Sequence, residues 1–111
     1  YDFRKFVHDT SICTSTMIIQ REIAKKAEFT NSKICEDYFF KCTVLKYCNA
    51  YCLDDALTKY RIRQDSLQSS YVRNFFWIWK INKELNKFNI FENFFSLLFI
   101  SLNSLKKYGI K

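Results

Sequence analysis

For 108 residues the chain runs without a glycine or a proline; its one glycine is Gly109 and proline is absent altogether. Tight β-turns draw heavily on both residues, because glycine supplies positive φ and proline presets the first turn position. A sheet protein built without either would have to make every hairpin from residues that resist the turn. Helices joined by short polar connections need neither. The sequence therefore predicts an all-α chain, a single helical domain over residues 1–111. Four to five helices are expected, in an irregular bundle or in extended helical hairpins. Apolar residues make up 49% of the chain, enough for a packed core rather than a disordered tail.

The densest stretch is Cys35 to Cys52, which holds four of the five cysteines. At about 100° per residue it reads as a helix with two apolar sides. Cys35, Tyr38, Cys42, Leu45, Cys52 and Ala56, with Ile34, gather on one face. Phe40, Val44, Tyr47 and Tyr51 form a second stripe roughly opposite. A helix apolar on two sides is sandwiched between neighbours. In a chain this short, some of those neighbours are expected to be other proteins.

Along the chain, residues 1–13 read as an extended arm or a single helical turn. A helix is predicted over 15–28, where Ile19, Ile23 and Ala27 recur every four positions. Thr30, Asn31 and Ser32 offer caps for the next helix, expected over 32–50, with a continuation or fresh helix over 56–62. Asp65-Ser66-Leu67-Gln68 resembles a capping box. Beyond it Leu67, Tyr71, Phe75, Ile78, Ile81, Leu85 and Phe88 trace one helical line. Phe76, Trp77 and Trp79 lie off that line, and large aromatics in such a position form core or a protein interface. A bend is expected at 86–89, followed by a helix over 90–107 with the stripe Phe91, Phe94, Phe95, Leu98, Leu102 and Leu105. Residues 88–105 are the candidate membrane contact. They carry one charge, Glu92, although a span needs about 20 mostly apolar residues.

The cysteines are Cys13, Cys35, Cys42, Cys48 and Cys52. Zinc sites take two close cysteine or histidine pairs, and only Cys48-x3-Cys52 qualifies, so no metal is expected. Two cysteines on one unbroken helix cannot bridge. A structural disulfide would therefore join Cys13 to Cys35, Cys42 or Cys52, against the alternative of reduced, packed thiols. The Cys42-x9-Cys52 spacing resembles one half of the twin C-x9-C helical-hairpin proteins of the mitochondrial intermembrane space. Cys48-x3-Cys52 is similar to half of the small inner-membrane-translocase chaperones. In each case the second half is missing from this chain.

Catalysis is not expected. No glycine-rich phosphate cradle can be built, and with one histidine the only nucleophile–base pair is Cys13 with His8. No cofactor is implied. The net charge of +7 suits anionic partners, but no run of five or six basic residues occurs. Phe, Tyr, Ile, Asn and Lys are abundant, the codon signature of an AT-rich genome, which by itself raises lysine over arginine. Nucleic acid is thus ranked below protein as a partner.

The leading expectation is a non-catalytic accessory subunit that packs by apolar helix faces into a larger assembly, an organellar (mitochondrial) membrane complex. Phe40, Val44, Tyr47, Tyr51, Phe76, Trp77, Trp79 and Phe99 are its expected interface residues. The alternatives are a free helical effector or binding protein of a parasite or virus, exported and braced by one disulfide, and a basic component of a ribonucleoprotein particle.

Overall fold

The all-α expectation holds. The computed structural model describes residues 1–28, 35–59, 61 and 70–109. Among these there are five α-helices, one 3-10 turn and no strand. The helices are α1 (Phe3–Asp9), α2 (Arg21–Ala24), α3 (Glu36–Leu45), α4 (Tyr71–Glu84) and α5 (Ile90–Tyr108), with the 3-10 turn at Thr14–Thr16. The radius of gyration is 14.1 Å, close to the roughly 13 Å of a compact chain of this length. That favours the irregular bundle over extended hairpins.

Of the two readings of residues 1–13 the helical one holds, as a two-turn helix over residues 3–9 opened by the Asp2 side chain, which accepts from the Lys5 amide at 2.7 Å. One turn brings Phe3, Phe6 and Val7 together, a spacing too short to register as periodicity. Phe6 and Val7 are each only 1% exposed. They sit at the centre of the main core, against Tyr38, Cys42 and Leu45 of α3, Ile78 and Ile81 of α4 and Ile100 of α5. The Phe6 ring stacks on Tyr38 at 5.5 Å.

The helices expected over 15–28 and 32–50 are both shorter than predicted. Residues 17–20 have no regular structure, and α2 is four residues long. Ile19, Ile23 and Ala27 nevertheless keep to one side, where with Met17 they cover Phe40 and Val44 of α3. This second small core means that α3 is sandwiched, as its two apolar faces require, but by its own chain. After Leu45 the helix gives out into a turn, and the helix expected over 56–62 is not formed over 56–59. Residues 51–59 are all exposed, and an isolated helix of that length has too little packing to persist in water.

The second half follows its pattern more closely. Ile78 and Ile81 of α4 are buried with Phe75, Leu85 and Phe88 packed against the core, although Tyr71 on the same line is exposed. The bend at 86–89 is present. Asn89 then opens α5 with a full capping box: its side chain accepts from the Glu92 amide, and Glu92 Oε2 accepts from the Asn89 amide, each at 2.8 Å. At the other end Gly109, at φ 71°, donates its amide to Leu105. The candidate capping box at 65–68 and the caps at 30–32 lie outside the described residues.

A candidate interaction surface over a polar hub

α5 packs on α1 and α4, and it does so with its polar side. Asn93 and Ser96 are buried, together with Ile100. Phe91, Phe94, Phe95, Leu98, Leu102 and Leu105, the stripe that an amphipathic helix would be expected to bury, face outward. Their exposures run from 40% at Leu98 to 75% at Phe91. Ile90 and Phe99 flank them and are also exposed.

The inward polar face has a physical reason. α1 ends inside the protein, and the last carbonyls of a helix have no partner within it. Ser96 donates its hydroxyl to the Val7 carbonyl at 2.5 Å, and Asn103 Nδ2 donates to the His8 carbonyl at 3.1 Å. A leucine or phenylalanine at either place would leave a buried acceptor unpaired, at about 1–3 kcal/mol each.

Beneath them lies Asn82 of α4, fully buried. Its Oδ1 accepts from Tyr38 Oη at 2.7 Å and from Asn86 Nδ2 at 2.9 Å. Its Nδ2 donates to Asn93 Oδ1 at 3.2 Å and to Ser96 Oγ at 3.1 Å. Both lone pairs and both protons of the amide are therefore used. Asn93 Nδ2 continues the chain to the Trp79 carbonyl at 2.9 Å. The hub ties α1, α3, α4 and α5 together, and by fixing the rotation of α5 it turns the apolar stripe to solvent.

The hub is electrostatically quiet. Burial pushes the Tyr38 phenol well above its ordinary value, and burial raises the Cys42 thiol to about 11. Both stay neutral. Cys35 is also raised to about 11, by burial and then by the neighbouring Asp37 carboxylate. The Cys13 thiol moves the other way, lowered chiefly by the hydrogen bond with Ser15. The His8 ring packs edge-on to Phe99 at 5.3 Å, so Cys13 and His8 each have a different neighbour.

The sequence-predicted interface residues divide. Phe40 and Val44 are buried within the chain, which corrects their assignment: the segment 17–27 covers them. Tyr47 and Tyr51 are exposed, Tyr51 almost fully at 92%, with the Lys26 ammonium over the Tyr47 ring at 5.1 Å. Phe76 and Phe99 are exposed, whereas Trp77 and Trp79 are half-buried. The Lys80 ammonium lies over Trp77 at 5.2 Å.

Of the two readings of the cysteines, a disulfide from Cys13 and reduced thiols, the second is the one found. All five cysteines are free: Cys13 and Cys52 exposed, Cys35 and Cys48 half-buried, Cys42 buried. The Cys42 sulfur accepts from Asn86 Nδ2 at 3.6 Å. Cys42 and Cys52 also do not share a helix, since α3 ends at Leu45, so the helical-hairpin arrangement implied by their spacing is absent. Among the described residues no group of His, Cys, Asp and Glu is placed to hold a metal ion. No helix among them is long and apolar enough to cross a membrane. A crevice of about 260 Å³ lies between residues 17–23 and the end of α3, and a more open one of about 540 Å³ lies between Trp79 and the start of α5.

What sequence reading missed is the hub. The signal was there: Asn93, Ser96 and Asn103 share one face of α5, and Asn86 stands four positions beyond Asn82, just past the end of α4. A polar stripe at helical spacing opposite an apolar one leaves open which of the two faces inward.

The fold and this surface define a small helical domain, closed by a polar core and apolar on the outer face of its last helix. Comparison with known proteins finds no match to the chain, whether among family models, curated proteins or solved structures.

Proposed function

We propose that the protein is a non-catalytic accessory subunit that packs by an apolar helix face into a larger protein assembly. The observation that carries this is the reversed polarity of α5. About half of each of eight large side chains stands in solvent. At about 200 Å² for a whole side chain that is roughly 800 Å² of apolar surface on one helix. The largest apolar patch of an ordinary monomer is about 300–600 Å², and larger ones mark interaction sites.

A non-catalytic role is supported by the hub itself, whose groups are amides, hydroxyls and one neutral thiol, bonded to one another except at the buried Oδ1 of Asn86. The setting we propose, an organellar and specifically mitochondrial membrane complex, rests on composition alone. Native electrophoresis and size-exclusion chromatography of the isolated chain test the central reading. Association, or precipitation relieved by mild detergent, is expected. A well-behaved monomer with a single cooperative unfolding transition would sink it.

A further inference from the structure

The outer stripe of α5 has a period of its own. Phe91, Phe95, Leu98, Leu102 and Leu105 are spaced 4, 3, 4 and 3, the heptad of a helix that packs along another helix. The stripe is graded, with phenylalanines in its first half and leucines in its second. It is flanked by opposite charges, Glu92 in the first turn and Lys106 in the last. Neither forms an ion pair with another described residue.

We infer that the occupant of this face is α5 of a second copy of the chain, running antiparallel about a two-fold axis at Leu98. This deepens the reading of α5 as a protein-packing face and rests on it. Three features of the stripe select that occupant. In the antiparallel pair Leu98 meets itself, while Phe91 and Phe94 of one copy oppose Leu105 and Leu102 of the other. Two of the three rings then pack against leucines, while Phe95 falls opposite Ser101; a parallel pair would set ring on ring at one end and leucine on leucine at the other.

The second feature is charge. At about 100° per residue Glu92 and Lys106 fall on the same flank of α5, the Phe99 side. A two-fold axis perpendicular to the helices brings like flank against like flank. Glu92 lies about 9 Å from the Leu98 level toward one end and Lys106 about 12 Å toward the other. Each glutamate therefore comes alongside the lysine of the second copy, and the pair forms twice. The third is area: roughly 800 Å² per partner is what a standard stable interface buries on each side.

The test uses the full chain with single charge reversals, followed by sedimentation equilibrium. Wild type is expected to be a dimer. Glu92→Lys sets four lysines around the contact and Lys106→Glu sets four glutamates. Each is expected to weaken the dimer about tenfold, as for the loss of two exposed ion pairs. Mixed in equal amounts, the two variants regain wild-type affinity as a heterodimer, because every lysine then faces a glutamate. That recovery also shows that both fold.

Four results overturn the pairing. Variants that associate as wild type does, or a mixture that fails to recover, exclude the antiparallel register. If Leu98→Glu then still disperses the oligomer, α5 remains a packing face with a different occupant. A monomer that partitions onto phosphatidylcholine–phosphatidylserine vesicles assigns the stripe to lipid. A wild-type monomer that neither self-associates nor binds vesicles removes the dimer and the packing reading together.

Discussion

Tyr38 on α3 donates its phenol proton to Asn82 on α4 at 2.7 Å, and both residues are buried. The bond connects two helices 44 positions apart in sequence and completes an amide with no unused hydrogen-bonding site. Such a network is worth most when it is whole, because removing one member leaves several buried partners unpaired.

Asn82→Leu is therefore predicted to be far more damaging than Tyr38→Phe. The leucine strands the Tyr38 hydroxyl, Asn93 Oδ1 and a proton of Asn86, at about 3 kcal/mol or more. Tyr38→Phe removes one donor and is expected to lose about 1–2 kcal/mol. Asn82→Asp keeps the shape but loses both donor protons and buries a charge, so its loss at neutral pH should match or exceed that of leucine. Protonation in acid should restore part of it. Urea unfolding followed by circular dichroism measures all three. Equal effects of Asn82→Leu and Tyr38→Phe would mean that the hub has no cooperative character.

The sequence made the helical class plain, and it placed α5 to within a residue, because the unbroken apolar stripe from Phe91 to Leu105 leaves little choice. It also showed that α3 must be covered on two sides. It could not show that residues 17–27 would supply one cover, since that segment is mostly non-helical and its apolar residues meet α3 only in three dimensions. The orientation of α5 was hidden for a different reason. Periodicity reports that a helix has two unlike faces, and burial is then assumed to follow hydrophobicity. Here the unpaired carbonyls of Val7 and His8 decided it, and the short helix that presents them was itself too brief to detect.

Thiol reactivity gives a second prediction. Cys13 and Cys52 are exposed and should react with an aromatic disulfide reagent in the native protein, Cys13 ahead because its thiol is lowered. Cys42 is buried and raised to about 11, and should react only on unfolding. All five should titrate in denaturant. A count of three there would reveal a disulfide and restore the braced-effector reading. The same shifts fix an alkaline limit. Cys35 and Cys42 hold their protons more tightly in the folded chain than the ordinary value of 9.0 allows in the unfolded one. Their contribution is complete below about pH 9 and is lost as pH rises toward 11. Cys42→Ala should flatten that decline.

Acid stability should turn on Asp9. Burial alone would raise its carboxyl, but hydrogen bonds from Lys107, Ser11 and Tyr1 outweigh it and hold the group at about 2, against 3.8. The Lys107 ammonium lies 2.7 Å away and joins the end of α5 to the end of α1. A carboxyl depressed on folding stabilises fully above its unfolded value and loses that contribution as pH falls toward 2. The lysine side chain is 43% exposed, so water screens the pair and about 1 kcal/mol is the expected size. Asp9→Asn should remove that amount at neutral pH and leave a shallower loss between pH 4 and 2. An unchanged acid limb would show that the pair contributes nothing.

The missing glycines leave a mark that can be reversed. Thr10, Cys35 and Lys87 each sit at positive φ, 53°, 59° and 57°; Thr10 and Lys87 follow the ends of α1 and α4, where glycine is the usual residue, while Cys35 precedes α3. A side chain in that conformation costs about 1–2 kcal/mol. Replacement by glycine relieves the strain but loosens the unfolded chain by about 0.4–1 kcal/mol. The balance differs by site. Thr10 is branched at Cβ and closes α1, where its amide donates to the Phe6 carbonyl at 2.8 Å; a glycine keeps that bond. Thr10→Gly should therefore stabilise by about 1 kcal/mol. Lys87, unbranched and exposed, should gain about half as much. Thermal unfolding of the two variants and of the pair decides this. The sites lie on different turns of the fold and share no partner, so their effects should add. A fall in melting temperature for Thr10→Gly would show that the threonine side chain stabilises this turn by more than its backbone strain costs.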